Sequence, residues 1–297
     1  MGELLDMVVI GAGPAGLSSA QQLAEDGFRV VVFEKEAKPN YEKLCAGYLP
    51  LAVFNQFEIP TSIADYPVKG LKIITKKSEW TIKFKNVVGY NLDRTRLAEY
   101  LANKVKKSGG EVITNTAVVD IEEREEAIIV RVGEDREVYK AKIIIAADGA
   151  YSKIGSIIRG RFKSNELGLA TQVKAHHSKT LSEIYSNLNI VFLRSDFSPF
   201  GYAWIFPKKN YVDAGLGALA SRTKGVDLKN YLAKVLKYYD LEKTSEARHA
   251  PVPLTGPVKK VAMNRILLAG DSAGHVSPLT GEGIKFALLA GGWPLKL

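Results

Sequence analysis

The chain has a single cysteine, Cys45, among 297 residues. A disulfide framework is excluded, and the composition fits a reducing compartment. Histidine is also scarce: His176, His177, His249 and His275 are the only four. Their spacing makes no metal-ligand set, so no metal site is expected. No apolar run reaches the length of about eighteen residues that a transmembrane helix needs. No cationic leader or apolar leader core precedes the stretch Met7-Val8-Val9-Ile10. Secretion is therefore not expected, and a cytoplasmic location is. Internal repeats and low-complexity linkers are absent as well.

What remains is an ordinary globular composition, 46% hydrophobic and 25% charged, with ample material for a core. Net charge is +9. The excess comes from scattered lysines, denser at Lys69, Lys72, Lys76, Lys77, Lys83 and Lys85. Two readings stand for that set, a solvated surface or attraction to anionic lipid headgroups at a membrane's inner face. No nucleic-acid module is present, so no nucleic-acid partner is expected.

Apolar periodicity organises the chain. Met7 to Ile10 and Arg29 to Phe33 read as strands around a helix from Pro14 to Asp26. "LKIITK" and "EWTIKF" read as paired strands, Asp93 to Lys107 as an amphipathic helix, and Ile121 to Ile145 as an antiparallel meander. Strands follow at Leu167–Lys174, Leu188–Arg194, Gly201–Phe206 and Tyr211–Gly217, then a helix at Asp227–Tyr239 and a strand at Arg265–Ala269. A last helix begins near Gly283. The expected architecture is α/β: a Rossmann-type dinucleotide-binding domain, residues 1–165 and 258–297, with small β-meander insertions. An antiparallel β-rich substrate domain, residues 166–257, is inserted into it. The chain stops at Trp293-Pro294 and the few residues after it, so a C-terminal helical region is expected to be missing.

"VVIGAGPAGLSSAQQLAEDGFRVVVFEK" places Gly11, Gly13 and Gly16 in G-x-G-x-x-G spacing. The pattern alone is weak. Here it follows a strand, opens a helix and leads to a second strand ending at Glu34 and Lys35, which makes it specific. Gly11 permits the tight turn, Gly13 lets the backbone approach a pyrophosphate, and Gly16 allows close helix–strand packing. Pro14 and Ala15 open the helix, whose free N–H groups and dipole favour phosphate. Glu34 suits the adenosine ribose hydroxyls. FAD and NAD share this fingerprint, and two later strand ends favour FAD. Asp148-Gly149 and Gly270-Asp271 can hold ribityl or ribose hydroxyls, or cap helices. The backbone around Gly281, Gly283 and Ile284 can face a flavin pyrimidine carbonyl.

Together these motifs resemble the FAD-dependent para-hydroxybenzoate hydroxylase fold group across essentially the whole chain. The resemblance implies that Arg94, in "NLDRTRLAEYL", contacts the flavin side; the residues alone allow a surface charge there. Two further stretches are similar to the geranylgeranyl reductase family. "YEKLCAGYLP" resembles its K-x-C-G-G segment, with Cys45, Ala46 and Gly47. "SPFGYAWIFPKKNYVDAGLG" resembles its Y-x-W-x-F-P block, with Tyr202, Trp204, Phe206 and Pro207. The family implies FAD and reduction of isolated C=C bonds in prenyl chains, those of archaeal-type lipids above all. It also implies an electron donor, a reduced pyridine nucleotide or ferredoxin. The second glycine of the family segment is Ala46 here, which puts the local backbone in question, because alanine resists positive φ.

An isolated alkene has no carbonyl to polarise it. Its reduction needs a close hydride source and a proton for the other carbon, held at about 3–3.5 Å in a water-poor site. Tyr202, Trp204 and Phe206 alternate, so a strand puts them on one face. That face is ordinary core by periodicity alone and, by the resemblance, the wall of an apolar tunnel. Tyr202 has a hydroxyl able to relay a proton. Three roles are open for Cys45: proton donor, redox-sensitive thiol, or packing. His275 suits capping or packing better than acid–base work. Two other readings stay open, an aromatic-ring hydroxylase of the same fold and a non-catalytic flavin- or lipid-binding chain.

Overall fold

Short runs of β-branched residues make the centre of the first sheet. Val8, Val9, Val31 and Val32 are buried, as are their flanking residues. Strands apolar on both sides belong to parallel sheets covered on both faces. The computed structural model describes residues 3–40, 43–176 and 185–292. Tyr41, Glu42, His177 and the Trp293-Pro294 end lie outside the described residues. Contacts divide the chain into two units.

The first unit comprises Met1–Glu42, Arg94–Phe162 and Pro253–Leu297. Its elements are β1 (Leu4–Ile10), α1 (Pro14–Glu25), β2 (Val30–Phe33), α3 (Arg94–Lys107), β8 (Glu111–Ile113), β9 (Val118–Glu123), β10 (Ile128–Val132), β11 (Glu137–Ala146), α4 (Lys153–Arg159), β18 (Ala262–Met263), β19 (Ile266–Leu268) and α6 (Ile284–Gly292). The sheet order is β18-β19-β11-β1-β2-β8, with β10 and β9 added beside β11. Strand β1 runs parallel to both neighbours, Val8 opposite Ile144 on one side and Val31 on the other. The expected meander is there: β9, β10 and the first half of β11 pair antiparallel. The end of β11 instead lies parallel to β1 and β19. Helix α6 lies against α1, where Ser18 Oγ donates to the Leu288 carbonyl at 3.0 Å. Gly291 allows the approach, since a Cβ there would sit 2.4 Å from the Ala15 carbonyl.

The second unit comprises Lys43–Asp93 and Lys163–Val252. Its elements are β3 (Tyr48–Pro50), α2 (Leu51–Gln56), β4 (Ala64–Val68), β5 (Gly70–Thr75), β6 (Glu79–Lys83), β7 (Gly89–Leu92), β12 (Leu167–His176), β13 (Leu188–Leu193), β14 (Gly201–Pro207), β15 (Val212–Leu219), α5 (Leu228–Tyr238), β16 (Glu242–Lys243) and β17 (Arg248–Pro253). The large sheet runs β16-β12-β15-β14-β13-β5-β6, and β3-β7-β4 form a small second sheet. One face of the large sheet packs on α5. Val173, Ile190, Phe192, Ala203, Ile205, Ala214 and Leu216 join Leu232 and Val235 in that core. Asp227 caps α5 by accepting from the Lys229 amide at 2.9 Å.

The structure departs from the sequence reading in three places. Residues 43–93 group with the β-rich unit and not with the dinucleotide unit, because β5 adds to β13. That added pairing is parallel, Leu188 opposite Gly70, so the inserted sheet is mixed where an antiparallel one is expected. Strands β3, β4, β7, β16, β17 and β18 and helices α2 and α4 are additional; β16 and β18 are two residues long, and proline at 50, 60, 67, 251 and 253 and Gly155 interrupt the periodicity of the others.

Candidate functional site

In the first unit the turn between β1 and α1 is built from glycine for steric reasons. Gly11 has φ +101°, and a Cβ there would lie 2.6 Å from the Ala147 carbonyl oxygen. A Cβ on Gly16 would lie 2.0 Å from the Gly11 carbonyl oxygen. Gly13 is different, because a Cβ there would meet nothing within 4 Å. Its side is open, as a site for an approaching pyrophosphate must be. Gly13 is also the N-cap of α1, with no side-chain cap and with Pro14 next, and no acid stands in the first turn. Ala15 is buried in that turn. Glu34 is buried, and its carboxylate accepts from the Ala12 amide at 2.8 Å and the Glu36 amide at 3.0 Å. It therefore braces the glycine turn and keeps lone pairs for a ribose. Lys35 is exposed and pairs with Glu36 at 3.8 Å.

The two later strand ends meet this turn. Asp148 is solvent-exposed at its tip, yet crowded surroundings push its pKa up by desolvation, opposed by hydrogen bonds from Ser152 and two backbone amides. Asp148 is not the cap of α4; Ser152 is, accepting from Gly155 at 2.6 Å. Gly149 has φ +89°. Arg159 joins the two strand ends by donating to the carbonyls of Ser272, at 2.6 Å, and Ala150, at 3.4 Å. Gly270 (φ +69°) donates its amide to His275 Nδ1 at 3.2 Å. Burial lowers the His275 pKa, so the neutral ring serves as a local cap. Asp271 follows in a single 3-10 turn, 3.5 Å from where a Gly283 Cβ would be. The Gly281 amide is already engaged, donating to Ser277 O at 2.9 Å, so it is not available as expected. Ile284 is buried at the start of α6.

Arg94 is not a simple surface charge. Its Nη2 donates to Asn40 Oδ1 at 3.2 Å, and Asn40 Nδ2 returns to the Arg94 carbonyl at 3.4 Å. Its Nε is buried with no hydrogen-bond partner among the described residues. A buried donor without a partner is costly unless a ligand completes it. The open Gly13, the uncapped α1 terminus and this Nε all fit FAD.

In the second unit the aromatic side chains of β14 lie on the sheet face opposite the α5 core, with Trp204 itself buried. Ala203 and Ile205 face α5, so Tyr202, Trp204 and Phe206 stand on the opposite sheet face. Glycines of β15 lie beside them, Gly217 opposite Tyr202 and Gly215 opposite Trp204. A Cβ on Gly215 would lie 2.5 Å from the indole ring, so the ring rests on bare backbone. The Tyr202 and Trp204 ring centroids are 5.8 Å apart. Trp204 Nε1 donates to Gln172 Oε1 at 3.3 Å, and Gln172 Nε2 donates to the Cys45 carbonyl at 3.4 Å. Burial pushes the Tyr202 hydroxyl pKa up to about 12, with Cys45 adding to the shift. Pro207 is buried, and its carbonyl accepts from Asn91 Nδ2 at 2.8 Å.

The cysteine segment is held by a residue that the sequence reading does not single out. Lys208 is 1% exposed. Its Nζ donates to the carbonyls of Ala46 and Leu92 at 2.8 Å each and stands 3.4 Å from Asp213 Oδ2. Burial raises the Asp213 pKa to about 6 against the pull of Lys208. Cys45 Sγ accepts from the Gly47 amide at 3.3 Å. Gly47 takes the left-handed conformation, φ +74°, and a Cβ there would sit 2.2 Å from Leu92 O. Ala46 is not among the positive-φ residues. The departure from C-G-G therefore leaves the backbone intact, since the strained position is still glycine.

Comparison with known proteins agrees with these features. The FAD binding domain family matches residues 5–288. Digeranylgeranylglycerophospholipid reductase of Methanococcus vannielii is 31% identical over 97% of this chain and 75% of its own length. Geranylgeranyl diphosphate reductase of Synechocystis sp. is 29% identical over 96% of this chain and 72% of its own. A crystal structure of a geranylgeranyl bacteriochlorophyll reductase-like protein from Thermoplasma acidophilum superposes with a TM-score of 0.88 over 98% of this chain and 76% of its own, at 24% identity. A flavin-dependent brominase shares the fold with a TM-score of 0.77 at 15% identity, covering 98% of this chain and 77% of its own. By the family match and the 31% relative, the chain belongs to the FAD-binding family of the geranylgeranyl reductases and is a flavin-dependent oxidoreductase.

Proposed function

We propose that this chain hydrogenates isolated C=C bonds of geranylgeranyl-type chains carried by membrane lipids. The observation that carries the reading is the aromatic face of β14, set on the side of its sheet away from the α5 core. A prenyl chain offers apolar area and no hydrogen bonds. Its burial stabilises it by roughly 25 cal/mol per Å², and Tyr202, Trp204 and Phe206 supply such a wall.

The first unit would hold FAD. Gly11, Gly13 and Gly16 with the α1 terminus suit the pyrophosphate, Glu34 the ribose, and Arg94 Nε a polar flavin-side atom. Asp148 and Asp271 suit the cofactor's hydroxyls. Reduced flavin, when bound, supplies the hydride for one alkene carbon. The second carbon needs a proton, and the second unit carries two proton-bearing groups for it, the Tyr202 hydroxyl and the Cys45 thiol. Burial favours the protonated form of the Tyr202 hydroxyl. Gln172 fixes both the Trp204 ring and the Cys45 backbone, which keeps the wall and the thiol in register. The electron donor would be a reduced pyridine nucleotide or ferredoxin.

The test is to add a geranylgeranyl glycerolipid to dithionite-reduced, FAD-loaded protein and follow mass. Two hydrogens gained per double bond is the expected result. Oxygen-dependent hydroxylation of an aromatic substrate, with no alkene reduction, would overturn it.

A further inference from the structure

Strand β6 is the terminal strand of the large sheet in the second unit, and every residue in it is exposed. Trp80 is 54% exposed, Ile82 51% and Phe84, just past the strand, 54%. At two-residue spacing the three project to one side. The register shows which side. Trp80 is opposite Ile73, Ile73 opposite Val191, and Val191 opposite Trp204. Registered partners share a sheet face, so the stripe lies on the same face as the aromatic wall and away from α5. Leu193, two residues from Val191 on that face, is 52% exposed. The apolar positions of this face thus run from buried Trp204 through partly exposed Val191 and Ile73 to exposed Trp80 at the sheet edge.

The charge around the stripe has one sign. Between Lys69 and Lys85 the chain has six lysines and a single acid, Glu79. That acid pairs with Lys72 at 2.7 Å. Asp196, whose carboxylate feels Lys76, is held by Arg194 at 2.6 Å. Lys76 and Lys77 occupy the exposed β5–β6 turn, and Lys83 and Lys85 are exposed beside the stripe. Large apolar tips rimmed by lysine suit an anionic bilayer, where the tips enter the headgroup boundary and the ammonium groups meet phosphate. A second copy pairing edge to edge would bring the lysine sets together, which is how sheet edges are kept apart. We propose that the β6 edge, with Trp80, Ile82 and Phe84 rimmed by lysine, docks this chain on an anionic lipid surface. The face that leads from there to Trp204 receives the prenyl chain, a detail that rests on the reductase reading above.

Co-sedimentation with phosphatidylcholine vesicles, with and without phosphatidylglycerol, tests the docking. The wild-type chain is expected to bind the anionic vesicles, to release them at high salt, and to show a blue shift of Trp80 emission that Trp80→Phe abolishes. Trp80→Ser with Ile82→Ser and Phe84→Ser should weaken binding about tenfold or more. Lys76→Glu with Lys77→Glu should do the same through charge. Equal binding to neutral vesicles, unchanged binding by both variants, or a wild-type dimer that the serine variant dissolves would each overturn the proposal. Comparing vesicle-embedded with detergent-dispersed prenyl lipid separates the two readings. Vesicle binding without reduction of either form removes the reductase reading alone. Reduction of the dispersed form without vesicle binding removes the docking alone.

Discussion

Lys208→Met removes a cation that is almost fully buried and makes two carbonyl hydrogen bonds and one ion pair. Losing the two carbonyl bonds costs about 2 kcal/mol, with the relieved burial of the charge subtracted. The ion pair adds a part that depends on pH. The folded-state pKa of Asp213, about 6, lies above its ordinary 3.8. A raised carboxyl pKa means that the folded chain binds the proton more tightly than the unfolded one. Stability is therefore lost as pH rises from about 4 to about 6, by roughly 3 kcal/mol in the wild type, and is level above that. Without Lys208 the Asp213 pKa rises further, so in the variant the loss continues past that point. The cost of the substitution should be constant near about pH 5 and grow by about 1.4 kcal/mol per pH unit above about 6. That brings it to about 3 kcal/mol near neutrality, the low end of the range expected for breaking a buried pair. Urea unfolding of both proteins across this pH range, followed by tryptophan fluorescence, measures it. Asp213→Asn in the Lys208→Met background should flatten the pH dependence. A cost that is independent of pH, or one that grows as pH falls, would refute the reasoning. Because Cys45 is the only cysteine, alkylation kinetics report on the same clamp; about tenfold faster labelling is expected once the Ala46 carbonyl is released.

Other outcomes follow from the same geometry. Gly13→Ala should leave the apoprotein's stability within about 0.5 kcal/mol and still lower FAD affinity at least tenfold, whereas Gly16→Ala should destabilise the apoprotein itself; flavin fluorescence titration and thermal unfolding separate the two. Glu34→Gln should weaken FAD binding about tenfold through loss of a charged acceptor at the turn, read by the same titration. Ala46→Gly should change stability by about 1 kcal/mol or less, while Gly47→Ala should cost about 2 or more, as denaturant midpoints will show. Trp204→Ala should lower prenyl-lipid turnover with FAD content retained; loss of bound FAD in step with turnover would count against the wall.

Much of this site could be read from sequence because its determinants are local. The glycine turn, α1, β2 and Glu34 lie within one short segment, and each residue there has a steric reason that spacing reveals. The alternation of Tyr202, Trp204 and Phe206 likewise fixed a shared face, but not which face. That depended on α5 packing against Ala203 and Ile205, a contact between distant segments. Lys208 was illegible for a related reason. In "FPKKN" nothing separates it from exposed Lys209; only the return of the chain at Ala46 and Leu92 turns one of the two into a buried clamp. The sheet of β3, β7 and β4 escaped notice because its strands are short and two of them contain proline. The parallel β5–β13 pairing has no sequence signature, since the partners lie roughly 120 residues apart.

That pairing bears on how the chain comes to be folded as it is made. Strands β5 and β6 can close as a hairpin soon after synthesis, but β13, which completes their sheet, emerges only after the whole α3–α4 stretch. The first unit waits as well, because β11 needs β19 as a neighbour and α1 needs α6. Through the middle of translation the growing chain therefore carries an open edge of β11 and an apolar hairpin without its neighbour. Such species aggregate readily. Recombinant yield should depend on slow elongation and chaperone supply more than on the stability of the finished protein.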